Sequence, residues 1–357
     1  MARRGTNPTK VDGRPPPYGE VRLILPVYLP ALEGYFADGL RVLEATLTSI
    51  AATIDSRVLV TVIDNGSTRE VAAKLAEHLQ AGLIDRVVHN ALNRGKVDAV
   101  LAELRASYEP ISVVADSDVV FRPGWVDALL AALEAFPECG MLSLHPAPDL
   151  RWHASSSTIA ARWTGTRLVR APVVDAADLE RFYQSVGRVM PPQHPQGNLL
   201  VSRGGTVLGL GFAHFAFAVR REVLIDLPSG PSLSSANGAD VDYFELPADA
   251  MGWWCLSVPR ALVHHVGNTL DTAEERRIAE FSAQIITDRP SGDLKARIPR
   301  VSRHLPSLVR RSIVRVAASA ERQPILAQWL MPERQVQLEP LSASQTRSPV
   351  TTTGGGS

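Results

Sequence analysis

Four short runs rich in β-branched residues, EVRLILPV (20–27), VLVTVID (58–64), RVVHN (86–90) and ISVVADSDVVF (111–121), and the run CGMLSL (139–144) alternate with helical patterns near 38–54, 69–81 and 96–107, and from the start signal at Pro123 to about Phe136. That alternation is the signature of βαβ units and a parallel sheet, hence an α/β fold. The runs are near-continuously apolar rather than alternating, as strands covered by helices on both faces must be.

From Pro146 to about Arg203 the pattern weakens: Pro191, Pro192 and Pro195 interrupt it, and one helix is expected near 176–188. This reads as an insertion over 146–205. Beyond it, HFAFAVRREVL (214–224) suits a strand running into a short helix, ADVDYFELPADAMG (239–252) contains a helix, and CLSVPRALVHHV (255–266) returns to strands. The chain thus divides into 20–145, an α+β half over 146–270, and a largely helical extension over 271–332. Residues 1–19 and 333–357, rich in Pro, Ser, Thr and Gly, read as disordered tails. Near 308–330, Val309, Ile313, Val316 and Ala320 share one helical face and Arg311, Arg315 and Arg322 the opposite one, so this helix is expected to pack on the domain with a basic side outward.

Composition narrows the partners. Lys plus Arg and Asp plus Glu are 37 each, so no global field draws the chain to nucleic acid or an anionic membrane. Cys139 and Cys255 are far apart and form no CxxC, which suits two free thiols in a reducing compartment. No stretch approaches ~18 uninterrupted apolar residues and the first twenty lack an apolar core, so neither a membrane span nor a signal peptide is expected, and a cytoplasmic location follows. The excess of Arg over Lys is the mark of GC-rich coding and suggests a bacterial source.

In open α/β sheets ligands bind outside the carboxyl ends of the strands. The strand ends here carry Pro26-Val27-Tyr28, Asp64-Asn65-Gly66-Ser67, Asn93-Arg94-Gly95-Lys96 and Asp116-Ser117-Asp118. None forms GxGxxG or GxxxxGK[ST], which leaves dinucleotide dehydrogenases and P-loop NTPases unsupported. Asp116 and Asp118 at the end of an apolar strand can hold a Mg²⁺ or Mn²⁺ ion that neutralises a diphosphate; the plain alternative is a solvated turn capping the next helix. Asp240 and Asp242 open a helix, where carboxylates are favoured by the dipole whatever their function. His264 and His265 could ligate the same cation or serve as structural hydrogen-bonders. Trp253 and Trp254 suit either an acceptor platform or the core, and RGGTVLGLG (203–211) reads as a flexible loop near the donor.

Taken in order, LPVY (25–28), IDNGST (63–68), NRGK (93–96), VVADSD (113–118), RPGW (122–125), AFAVRREVL (216–224), GADVD (238–242) and VHHVGN (263–268) resemble glycosyltransferase family 2 over roughly 20–270. The resemblance implies a GT-A fold: a Rossmann-like nucleotide-binding sheet merged with an acceptor-binding α+β half, here followed by C-terminal helices. It implies a metal-dependent transfer, with Mn²⁺ or Mg²⁺, from a nucleotide-diphosphate sugar, UDP-sugar favoured, to an acceptor hydroxyl, with inversion. Pro26, Val27 and Tyr28 would line the nucleoside pocket, Asp64 would bind the base with Asn65 beside it, and Arg94 or Lys96 would approach the nucleotide. Asp116 and Ser117 would face the ribose or donor sugar, Asp118 would be the main metal ligand and His264 would join it, with His265 as substitute. Asp240 or Asp242 would be the catalytic base, because Ala239 stands where the family has Glu. Trp152, His153, Trp163 and the His194-Pro195 segment of the insertion would help shape the acceptor pocket. The acceptor is a small molecule, a glycan or a lipid-linked group; a peripheral membrane contact and a homodimer stay open. The alternatives are a retaining transferase acting on a small phosphorylated acceptor and a catalytically silent sugar-nucleotide-binding module.

Overall fold

The computed structural model describes residues 18–172, 176–192, 197–233, 239–272, 275–276 and 307–321. Its first half follows the expected alternation: β1 (Val21–Val27), α1 (Gly39–Thr53), β2 (Val58–Asp64), α2 (Arg69–Gln80), β3 (Arg86–His89), α3 (Lys96–Ala106), β4 (Ile111–Ala115), β5 (Val119–Phe121), α4 (Trp125–Ala135) and β6 (Cys139–Ser143). β3, β2, β1 and β4 run parallel in that spatial order. Side chains alternate across this sheet. Leu23 and Leu25 of β1 and Val60 and Val62 of β2 pack with Leu43, Leu47 and Ile50 of α1, Val71 and Leu75 of α2 and Leu129 of α4. On the other face Ile24, Ile63 and Val114 pack with Val97, Val100 and Leu104 of α3. Period-two alternation of apolar residues toward two helical layers is what a doubly covered strand requires.

The second half completes the sheet with α5 (Ser156–Ala160), β7 (Leu168–Ala171), α6 (Ala176–Ser185), β8 (Asn198–Arg203), β9 (Thr206–Leu210), β10 (Ala216–Arg220), a π-helical turn (Val241–Glu245), α7 (Leu246–Ala250), β11 (Trp254–Ser257) and β12 (Val263–His265). The full order is β3-β2-β1-β4-β10-β6-β11-β9-β8-β7, a mixed ten-stranded sheet in which β10 lies antiparallel to both β4 and β6. The weakly patterned 146–205 region therefore contributes two strands and part of the sheet edge. RGGTVLGLG is not a flexible loop but the turn and second strand of a hairpin. Arg203 pairs with Thr206, and Gly204 and Gly205 take φ of +57° and +87°, both in the region a two-residue primed turn demands.

The run expected as one strand over 111–121 breaks in two. β5 leaves the large sheet and pairs with β12, so Asp116-Ser117-Asp118 is the crossing between two sheets. The crossing keeps its backbone groups satisfied, as buried chain must. Asp116 N donates to Phe215 O at 2.8 Å, Thr46 Oγ1 of α1 to Ser117 O at 3.0 Å, Val266 N to Asp118 O at 2.9 Å, and Phe121 N to Ser49 Oγ at 3.0 Å.

Trp253 and Trp254 belong to the core and form no platform. Trp254 stacks near Phe136 at the start of β11, and Trp253 donates to Asp226 Oδ2 at 3.0 Å. A helix α8 (Ser307–Glu321) packs on α5. Its inward face carries Arg310, Ile313, Val314 and Ala317, whereas Val309 and Val316 are exposed, so the buried stripe is turned from the expected one; Ile313, Val314 and Ala317 join Ile159 and Trp152 in the main core. Arg322, His194-Pro195 and both tails apart from Tyr18 and Gly19 lie outside the described residues. No helix among the described residues is long and apolar enough to cross a membrane.

The hairpin assignment separates two substitutions. Gly204→Asn should leave the thermal midpoint nearly unchanged, because Asn tolerates positive φ, whereas Gly205→Val should cost about 1–2 kcal/mol. Equal, negligible effects in thermal unfolding would mean a flexible loop instead.

Candidate active site

The chain lays β2 and β3 on one side of β1 and β4 on the other, so the loops after β1 and β4 diverge and open a crevice at the strand ends. A cavity of about 400 Å³ occupies it, walled by Pro26, Val27, Tyr28, Asn65, Lys96, Asp116, Ser117 and Asp118, with Tyr35 and Asn268 at its edge. Asn65 ties the loops together. Its Nδ2 donates to Asn93 Oδ1 at 2.8 Å, and its Oδ1 accepts from Asn90 Nδ2 at 3.0 Å and Arg94 N at 3.1 Å. Gly66 turns at φ +87°, where a Cβ would stand 3.0 Å from Asn93 N, so the close approach of the β2 loop to the β3 loop requires glycine. Asp64 points into this scaffold: Oδ1 accepts from Ser67 N at 2.8 Å and Oδ2 faces His89 Nδ1 at 3.0 Å. Arg94 uses its backbone here and its side chain is exposed.

Lys96, the first residue of α3, reaches back across the cavity. Its Nζ lies 2.6 Å from Asp116 Oδ1 and 3.5 Å from Asp240 Oδ1, and donates to His214 O at 3.1 Å. Burial works against the ammonium, but the charges of Asp116 and Asp240 outweigh it and raise its pKa. Asp240 is buried at the start of the π-helical turn while Asp242 is exposed, so the structure brings only the first of the pair to the site. Ala239 is buried in the apolar cluster with α3 and offers no carboxylate.

Asp118 faces the other way. Its Oδ2 lies 3.4 Å from His265 Nε2, and its Oδ1 is buried with no hydrogen-bond partner. Burial pushes the Asp118 carboxyl up to about 6, with His265 opposing the shift and Asp116 adding to it. His265 Nδ1 is 2.8 Å from Ser185 Oγ, which itself donates to Phe182 O at 2.8 Å. A serine hydroxyl has one proton, so both bonds form together only if His265 donates from Nδ1, which leaves Nε2 as the ring nitrogen turned toward Asp118. Neighbouring strand residues point to opposite sides. His264 accordingly lies near Arg122, Arg181 and Asp178, and burial first, then the two arginines, hold its pKa down to about 4. It is His265 that faces Asp118.

These groups fit a hard divalent cation. An orphaned carboxylate oxygen of Asp118 and the Nε2 of His265 beside that carboxylate are available to it, and among the described residues no cluster of three or more His, Cys, Asp or Glu is arranged for a metal, so donor phosphates and water would complete the shell, the mode Mg²⁺ prefers.

One charged cluster escaped the sequence reading. Glu245, almost fully buried, faces His153 Nδ1 at 2.9 Å through Oε2 and His214 Nδ1 at 3.2 Å through Oε1. The signal available was an acidic residue set inside the apolar run Tyr243-Phe244-Glu245-Leu246. Burial opposes its charge, but the two imidazoles prevail and its pKa is lowered, while the hydrogen bonds that His153 and His214 donate to Glu245 raise both histidines. Trp152 shares one cavity wall with His153 and a second, smaller one with Trp163, whose ring is exposed, while His153 also joins the Glu245 cluster.

Residues 36–173 match glycosyl transferase family 2. No curated protein matches the sequence. Among solved structures, the mannosyltransferase PcManGT from Pyrobaculum calidifontis, in complex with GDP-Man and Mn²⁺, is 18% identical over 69% of this chain and 58% of its own, with a TM-score of 0.37. S. aureus TarS 1–349 is 11% identical over 73% and 70%, with a TM-score of 0.41. GalNAc-T7 with UDP, GalNAc and Mn²⁺ is 16% identical over 74% and 48%, with a TM-score of 0.44. The chain spans less than two thirds of the mannosyltransferase and about half of GalNAc-T7.

The Glu245 cluster has a pH signature. Glu245 is lowered from 4.5, so its contribution is present above that value and lost as pH falls through the folded pKa; His153 and His214 are raised from 6.5, so theirs is present below that value and lost as pH rises through the folded pKa. The stability difference between wild type and Glu245→Gln should therefore peak between about pH 5 and 6.5 and shrink on both sides. A difference flat from pH 4 to 8 in denaturant titrations would contradict the ionised cluster.

Proposed function

The chain carries a glycosyl transferase family 2 domain over residues 36–173, and from that premise we propose that it moves a sugar from a nucleotide-diphosphate donor to an acceptor hydroxyl with Mn²⁺ or Mg²⁺ bound, inverting the anomeric centre. UDP is the nucleotide we favour. In this reading residues 20–145 form the donor half and 146–270 the acceptor half. The observation that carries it is that Asp118 and Asp240, from different segments, each keep a buried carboxylate oxygen without a hydrogen bond, with Asp240 tied to the cavity through the Lys96–Asp116 pair.

Pro26, Val27 and Tyr28 wall the nucleoside end of the cavity, and the Asn65 junction keeps the loops around it at fixed spacing. Asp118 and His265 Nε2 would hold the cation, which stabilises the charge that develops on the departing diphosphate. Lys96 supplies a second positive charge at the same wall, held against Asp116, and contributes to neutralising the phosphates. Asp240 takes the acceptor proton; its Oδ1 accepts no hydrogen bond and is held only by the longer ion pair to Lys96 Nζ at 3.5 Å, which leaves lone pairs for the hydroxyl. Base and leaving group must flank the sugar for inversion, and the two acidic groups come from different segments, the β4 end and the π-helical turn.

The test is binding and turnover of UDP-, GDP- and dTDP-sugars with and without Mn²⁺. Asp118→Asn should abolish the metal dependence of donor binding. Asp240→Asn should keep donor affinity within about twofold and lose roughly 10²–10⁴ in turnover. Absence of sugar-nucleotide binding in the wild type, or unchanged turnover in Asp240→Asn, would overturn the assignment.

A further inference from the structure

A second cavity, of about 370 Å³, opens between α8 and the 152–156 segment, and its wall includes His153, Ser155, Asp249, Arg310, Arg311 and Arg315. Its charge is one-sided. Three guanidinium groups face a single carboxylate, Asp249, giving +3 − 1 = +2. That carboxylate is already engaged: Asp249 accepts from Ser157 N at 2.8 Å and from the Ser156 hydroxyl, and stands 3.9 Å from Arg310 Nη1, an ion pair too long for a hydrogen bond. Two polar groups in the same wall, Arg310 Nε and Ser155 Oγ, are buried and lack hydrogen-bond partners. Buried donors of this kind are costly unless a ligand takes them up. Arg311 and Arg315 are one helical turn apart and both exposed, so they flank the opening on the same side of α8.

We infer that this cavity binds the phosphate group of the acceptor. Guanidinium forks match phosphate oxygens bidentately, and a net charge of +2 balances a phosphate monoester, which carries about −1.5 to −2 at pH 7. A chain of contacts links the cavity to the candidate active site: His153 of its wall contacts Glu245, Glu245 contacts His214, and the His214 carbonyl accepts from Lys96. Assigning the phosphate to the acceptor rests on the glycosyltransferase reading; the anion site itself does not.

The test uses the full chain without metal, in EDTA, with inorganic phosphate as probe in calorimetric titration and saturating UDP present to occupy the donor cavity. Wild type should bind phosphate, and the R311Q/R315Q variant, whose two changes are exposed and leave packing intact, should bind it about tenfold or more weakly. R310Q should weaken it as well. Parallel sedimentation with phosphatidic acid and phosphatidylcholine vesicles distinguishes the source. Retention on phosphatidic acid alone, lost in R311Q/R315Q, supports a lipid-borne phosphate, and phosphate binding without retention supports a soluble one. Equal phosphate affinity in wild type and both variants, or binding of neither probe, overturns the site. Phosphate bound through the arginines with no sugar nucleotide bound under any condition leaves an anion site and overturns its assignment to an acceptor.

Discussion

Lys96 holds three separately folded pieces of the chain around one charge: Asp116 at the end of β4, Asp240 at the start of the π-helical turn, and the carbonyl of His214 just before β10. Without it two carboxylates would share one half-buried wall, and truncating the ammonium would leave their charges uncompensated. The arrangement also decides which acid does what. Asp116 is spent on the ammonium. Asp240 is near enough to be held by it at 3.5 Å yet keeps an oxygen without a hydrogen bond.

The break after β4 matters as much as the charge. In a continuous strand residues two apart face the same side, so Asp116 and Asp118 would have crowded into one place and repelled each other. Passing from the large sheet to the β5–β12 pair lets Asp116 turn to Lys96 while Asp118 turns to His265. The crossing is not loose. Thr46 and Ser49, buried polar residues on the inner face of α1, hold Ser117 O and Phe121 N, so a helix chosen for its apolar stripe also fixes the acidic loop.

The parallel half was legible because its strands are apolar on both faces and its helices follow directly; the cavity at the strand ends then followed from topology, and Pro26, Tyr28, Asn65, Lys96, Asp116 and Asp118 all line it. The antiparallel half was harder. β7 and β8 are short and lie beyond proline-rich sequence, and Gly204-Gly205 looked like flexibility when their positive φ makes a tight hairpin. The choice of His265 over His264 could not be read from sequence, because strand parity fixes which of two adjacent histidines faces the acids only once β12 is paired with β5 in register. Trp253 and Trp254 resemble a sugar platform in composition and are core in fact, since β11 sits between β6 and β9 with helices over it.

The two sides of the site are built by different means, and this shapes how the chain can vary. The wall proposed for the donor is made of strand-end loops fixed by backbone hydrogen bonds and by Asn65, so a change there disturbs the parallel sheet. The opposite wall is made of His153, Glu245, His214 and, farther out, the arginines of α8, joined by side-chain charges. The exposed arginines among these can be exchanged with little cost to a sheet whose core clusters on other residues, whereas Glu245 is buried between two histidines and cannot. On the proposed reading, backbone would grip the donor and side chains the acceptor, so substitutions among the arginines of α8 would alter acceptor binding while the strand-end loops stay as they are.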